Sequence, residues 1–190
     1  MIIVSQNALK YDIDFPDDCV FRINLAWCDN LDELNKIIEK HKDKKIFLDL
    51  PVGRIKPPNN QYGMDELEII LKSNPQIEFF AISNVESGNE IEKMKKFIPK
   101  STTIIPKIES PTGINNIDEI VSEIDSSKKY VMLDHDDLFS KIIKSGENSE
   151  KFQIYIKKLV DYCESNNIFL LRTVGVIFSD NEKRTTQYIK

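Results

Sequence analysis

Residues Thr102–Ile120 read TTIIPKIESPTGINNIDEI. The opening TTIIPKI is a β-branched apolar run with the composition of a buried strand, yet it carries Lys107 and is followed at once by Glu109. Side chains two apart on a strand share a face, so Lys107 and Glu109 project together while Ile104, Pro106 and Ile108 face the other way. An unpaired buried ammonium or carboxylate costs several kcal/mol, whereas a lysine beside a carboxylate that holds a divalent cation is compensated. The next apolar run ends in LDHDDL and delivers Asp134, Asp136 and Asp137 to the same rim. Carboxylates from adjacent strands, completed by water and substrate oxygens, are the hard-ligand environment of Mg²⁺ or Mn²⁺.

Similar runs recur on both sides of this stretch. IIVS, VFRINLA, KIFLDL, FFAISNV, YVMLD and IFLLRTV join TTIIPKI as strands. Between them lie LDELNKIIEKH, MDELEIILKS, GNEIEKMKKFI, INNIDEIVSEI and EKFQIYIKKLVDYCES, with apolar residues at helical spacing. Repeated βα units predict an α/β fold with a parallel sheet covered by helices. No glycine-rich phosphate loop follows the first strand, and the chain has 6 glycines in all, which argues against a dinucleotide or P-loop fold. Polar residues gather instead at the carboxyl ends of the strands: Arg22 and Asn24, Asp49, Ser83, Lys107 and Glu109, Asp137, Thr173. Those ends converge at the mouth of a βα barrel, so a TIM-type parallel barrel is expected. It is expected to be reduced or incomplete, with about seven strands, because the tail after Thr173 is too short for an eighth strand and its helix. A second subunit or the tail is expected to cover the open edge.

The 190 residues suit a single domain over 1–190. A net charge of −5 with no basic stripe excludes a phosphate-backbone groove, and no apolar stretch approaches the length of a membrane span. The 3 cysteines, Cys19, Cys28 and Cys163, lack metal-type spacing, and no signal peptide opens the chain; a reducing, cytoplasmic setting is expected.

In order along the chain, FRINLAWCDNLDEL, IFLDLPVGRIK, IEFFAISNVESGNEIEKMKKFI, TTIIPKIESPTGINNIDEIVSEID, YVMLDHDDL and CESNNIFLLRTV resemble strand ends of the pyruvate kinase barrel, from about Val20 to Thr173. The resemblance implies that Glu109 and Asp137 hold Mg²⁺ or Mn²⁺ on which pyruvate enolate or phosphoenolpyruvate is chelated. It implies that Lys107 stabilises charge on the enolate or phosphoryl oxygen, that Arg22 meets phosphate, and that Thr173 lies near the carbon that accepts a proton. Asn24 and Asp49 would belong to a K⁺ site, with Ser83 grouped beside them as cofactor-binding. The chain departs from that family at Ala26, at Pro51-Val52-Gly53 and at His135-Asp136. It also has only PPNNQYGM where the family inserts its lid, and the family's carboxy-terminal regulatory domain is expected to be missing.

PKIESPTGINNIDEI and DDLFSKI are similar as well to class II pyruvate aldolases and citrate-lyase β-like enzymes, small metal-dependent barrels that need no lid. Two enzymatic expectations follow: phosphoryl transfer of the pyruvate kinase type, or carbon–carbon cleavage releasing pyruvate or a related 2-oxo acid. The third expectation is a degenerate barrel that binds a metabolite or a partner. The bland readings are an ion pair for Lys107 and Glu109, and Asp136 and Asp137 capping a helix that starts at Leu138. His135 is expected to be solvated at the rim, His41 to lie in a charged loop, and Trp27 to pack.

Overall fold

The computed structural model describes residues 3–5, 18–53 and 60–172. Strands β1 (Ile3–Ser5), β2 (Val20–Asn24), β3 (Lys45–Leu50), β4 (Ile77–Ile82), β5 (Thr103–Ile108), β6 (Tyr130–Leu133) and β7 (Phe169–Arg172) form one sheet in sequence order, every neighbouring pair parallel. Crossovers of constant hand between successive parallel strands place their helices on one face and leave the other face to enclose an interior. The sheet is curled into a half-barrel. Among the described residues β1 pairs only with β2 and β7 only with β6, so the barrel is not closed.

The helices follow the strands: α1 (Leu31–Lys40), α2 (Met64–Ser73), α3 (Gly88–Lys95), α4 (Pro111–Asn115), α5 (Ile117–Ser122), α6 (His135–Lys144) and α7 (Lys151–Ser165). The stretch INNIDEIVSEI is two helices rather than one. Ser110 caps α4 through Gly113 N–H at 3.1 Å, Pro111 occupies its first turn, and the chain breaks at Asn116 before α5. Among the described residues no helix is long and apolar enough to cross a membrane.

Strand alternation divides the core in two. Phe21, Ile23, Ile46, Leu48, Phe80, Ile82, Ile108 and Leu133 face the helices, where Leu34, Leu67, Ile120 and Leu159 meet them. Val20, Phe47, Phe79, Ala81, Ile105 and Met132 fill the concave face. Burial on both faces explains the nearly unbroken apolar strands, and each fully buried Leu, Ile or Phe contributes about 1.5–3 kcal/mol. Pro106 is tolerated inside this sheet at a change of ladder. The β4 pairing ends at Pro106 and the β6 pairing begins at Lys107. Beyond the apolar layer, the concave positions at the strand carboxyl ends are polar, and the site lies there.

Candidate functional site

Arg22, Asp49, Ser83, Lys107 and Glu109 come from four strand ends and meet over Ala81 and Ile105. Arg22 donates through Nε to Asp49 Oδ2 at 2.9 Å and through Nη2 to the same oxygen. Lys107 Nζ stands 3.0 Å from Ser83 Oγ, 3.0 Å from Glu109 Oε1 and 3.5 Å from Asp49 Oδ1. Asp49 and Glu109 are each 1% exposed and Lys107 is 5% exposed, so these are buried charges. The Lys107–Asp49 approach spans two strand spacings, roughly 9–10 Å of flat sheet, and the sheet's curl brings the two side chains together.

Glu109 is also held from behind. Asn84 adopts a left-handed backbone, φ 57°, and its N–H donates to Glu109 Oε2 at 2.8 Å. The Asn84 side chain donates to the Val52 carbonyl, tying the β3 and β4 loops across the mouth. Glu109 Oε1 is buried without a partner of hydrogen-bonding geometry, although Lys107 lies near it. On the next strand Asp134 caps α6, accepting from Asp137 N–H at 3.3 Å, which places Asp137 in the first turn of that helix. One carboxylate oxygen each from Glu109, Asp134 and Asp137 lie within 4.8 Å of one another. The buried Glu109 carboxylate, ion-paired with Lys107, together with the two further carboxylates fits the hard-oxygen donor set of a Mg²⁺- or Mn²⁺-sized ion.

The electrostatics follow from burial and neighbours. Burial pushes the Glu109 carboxyl up and Asp134 and Asp137 add to it, against the pull of Lys107. Burial also works against charge on Asp49, but Lys107 and then Arg22 outweigh it and hold that carboxyl below its ordinary value. Lys107 is desolvated too, yet Asp49 and Glu109 raise its pKa above that of a free lysine, so it is an ammonium and not an amine nucleophile.

These groups line a cleft of ≈ 290 Å³ at the carboxyl ends of the strands, together with Asn24, Asp134, Asp137 and the α6 side chains Ser140, Lys141 and Lys144. Arg22, Asn24, Asp49, Ser83, Lys107, Glu109 and Asp137, all expected from the sequence, are brought together there; Thr173 lies outside the described residues. Asn24 caps a 3₁₀ turn at Leu25–Trp27, accepting from Ala26 N–H at 3.0 Å. For a K⁺ site at Asn24 and Asp49, Arg22 and Lys107 already supply the positive charge. Asp134 joins the acids as both cap and candidate ligand, because α6 begins at His135 and not at Leu138. Asn84 had one sequence signal, an asparagine two residues past a strand end, where left-handed backbone is tolerated.

Two expectations at the rim are corrected. His135 is 5% exposed and packs edge-on to Phe152, since its place in the first turn of α6 points it into the helix layer rather than into water. Trp27 is 42% exposed, because the short 3₁₀ turn buries Leu25 and Ala26 and leaves the third residue outside. His41 ends α1 and stacks on Phe21 with ring centroids 4.0 Å apart.

No protein-family model matches the chain, and no curated protein matches it. Among solved structures it is similar to the crystal structure of RipC from Yersinia pestis, with a TM-score of 0.59 and 18% identity, over 85% of this chain and 72% of that one. At this identity the likeness shows the fold alone. The pyruvate kinase resemblance is corrected, because the solved structure matched here is RipC and neither family models nor curated proteins support pyruvate kinase. The physical reason is that each matched stretch is a strand end. Apolar strands that finish in polar rim residues recur in order in any sequentially wound parallel sheet.

Proposed function

We propose that the cleft binds a divalent cation through Glu109, Asp134 and Asp137 and acts on the enolate of a 2-oxo acid, in a carbon–carbon lyase or aldolase reaction. The observation that carries this reading is the convergence of Glu109, Asp134 and Asp137, one carboxylate oxygen from each lying within 4.8 Å of the others. When bound, the cation supplies Lewis acidity to the oxo group of the substrate. Lys107 holds a fixed positive charge beside that position, and its contacts with Ser83, Asp49 and Glu109 keep it oriented before substrate arrives. Arg22 is locked to Asp49 and keeps that wall of the cleft from carrying net negative charge. The protonated state of Lys107 favours enolate stabilisation over Schiff-base chemistry.

The cleft is poorly suited to phosphoryl transfer. The sequence has only PPNNQYGM where a lid would enclose nucleotide, and an open cleft leaves a transferring phosphoryl group to water. The half-barrel is read as a reduced TIM-type βα barrel, whose active sites occupy this end of the strands. Cys19, Cys28 and Cys163 are buried and form no disulfide, which supports a reducing cytoplasmic location.

The test is incubation with pyruvate and Mg²⁺ or Mn²⁺ in heavy water, followed by proton NMR. Methyl deuteration that is lost with chelator and in Glu109→Gln is the expected result. If no exchange occurs with either metal, the enzyme reading is abandoned in favour of a barrel that binds without turnover.

A further inference from the structure

The outer wall of the cleft carries charge that the metal and enolate do not use. Asp137, Lys141 and Lys144 stand at i, i+4 and i+7 on α6, one face of that helix, and all three line the cleft. At the α-helical rise, Lys141 lies about 6 Å and Lys144 about 10 Å beyond Asp137 along the axis. Lys141 is braced at 3.3 Å by Glu86. Lys144 is exposed at the mouth.

Among the described lining residues, Arg22, Lys107, Lys141 and Lys144 are cationic. Asp49, Glu109, Asp134 and Asp137 are anionic, so the fixed charges cancel. Glu86 pairs with Lys141 from outside the lining, so a divalent cation leaves one positive charge in excess, unevenly placed: the inner end holds the cation among its acids, and the outer end holds the Lys141–Glu86 pair and the exposed Lys144. A ligand matched to that placement carries one anionic group at the cation and a second that meets Lys144 and competes with Glu86 for Lys141.

Resting on the metal–enolate reading, we infer that the substrate is a 2-oxo acid bearing a second anionic group, a carboxylate or a phosphoryl group, which Lys141 and Lys144 receive at the outer end of the cleft. The lysines act as the specificity-determining pair. A substrate such as pyruvate, with one carboxylate, fills the inner end alone.

Calorimetric titration in the presence of Mg²⁺ tests this with pyruvate, 2-oxopentanoate, 2-oxoglutarate and phosphonopyruvate. 2-Oxoglutarate and 2-oxopentanoate have the same carbon skeleton and differ in the distal charge. The expected result is roughly tenfold tighter binding of 2-oxoglutarate, and loss of that ratio in the Lys141→Gln/Lys144→Gln double variant, with retention in Lys141→Arg/Lys144→Arg. Preference for 2-oxoglutarate or for phosphonopyruvate identifies the second group as carboxylate or phosphoryl. Equal binding of 2-oxoglutarate and 2-oxopentanoate, with no gain for phosphonopyruvate, overturns the inference while leaving the metal–enolate reading intact. So does a ratio that survives the double Gln variant. Absence of Mg²⁺-dependent binding by any of the four, pyruvate included, overturns both.

Discussion

Lys107 Nζ lies 3.0 Å from Glu109 Oε1, two residues along one strand, with both side chains almost wholly buried. Adjacent same-face positions on a strand give such a pair no freedom to separate. The ammonium therefore serves as counter-charge to Glu109 and, across the curl of the sheet, to Asp49 at 3.5 Å.

Removing that counter-charge leaves two buried carboxylates facing each other. Lys107→Met is expected to destabilise the fold by about 3–5 kcal/mol, read from urea unfolding, with part of the loss recovered in the Lys107→Met/Glu109→Gln double variant. A loss below about 1 kcal/mol, the range of exposed pairs, contradicts the burial of this pair.

Gly113 links the helix layer to the site. A Cβ at this position would lie 2.6 Å from the Val85 carbonyl oxygen, and Val85 N–H donates to the Lys107 carbonyl at 3.2 Å. Gly113→Ala is expected to cost about 1–3 kcal/mol by overpacking and to displace the Asn84 loop that holds Glu109. Gly146→Ala is the contrast. Nothing lies within 4 Å of its Cβ, but φ is 76°, so its cost is the backbone's alone, about 1–2 kcal/mol. Thermal unfolding with and without Mn²⁺ separates the two, since only Gly113→Ala is expected to shrink the metal-induced shift.

The parallel sheet was legible in the apolar runs because each strand is buried on both faces, and the shared face of Lys107 and Glu109 followed from strand periodicity alone. The start of α4 was legible too, in Ser110-Pro111, but helical spacing across Asn116 hid the break before α5. Contacts that depend on curl were not legible: nothing in sequence spacing brings Asp49 to Lys107. Nor does it reveal that Asn84 turns its N–H on Glu109. Family identity failed for a related reason. Short strand ends report the architecture that selects them, and 18% identity to a solved structure of similar fold leaves activity open.

Acid sensitivity near neutrality is expected from His41. Burial, and then Lys40, lowers its pKa from the ordinary 6.5, and its Nε2 is buried without a hydrogen-bond partner. The unfolded chain therefore takes a proton at His41 at a higher pH than the folded one. Its contribution is complete above pH 6.5 and falls away as the pH drops from there to the folded pKa. Urea midpoints at pH 7.5 and 5.5 are expected to differ less in His41→Gln than in the natural chain, and equal differences would falsify the assignment.

Asp134 performs two tasks that substitution can pull apart. Its side chain caps α6 by accepting from Asp137 N–H, which needs an oxygen but no charge, and it supplies one of the acids around the Glu109 oxygen, which needs charge. Asp134→Asn keeps the cap and removes the charge. It is expected to leave stability within about 0.5 kcal/mol while weakening Mn²⁺ binding at least as much as the roughly 10–100-fold typical of losing an outer-sphere partner. Asp134→Ala loses both, with a further cost of about 1 kcal/mol from the uncapped helix. Calorimetric Mn²⁺ titration and urea unfolding of the two variants read the terms separately. Equal metal affinity in Asp134→Asn and the natural chain would leave Asp134 a helix cap only, with Glu109 and Asp137 as the protein ligands of the ion.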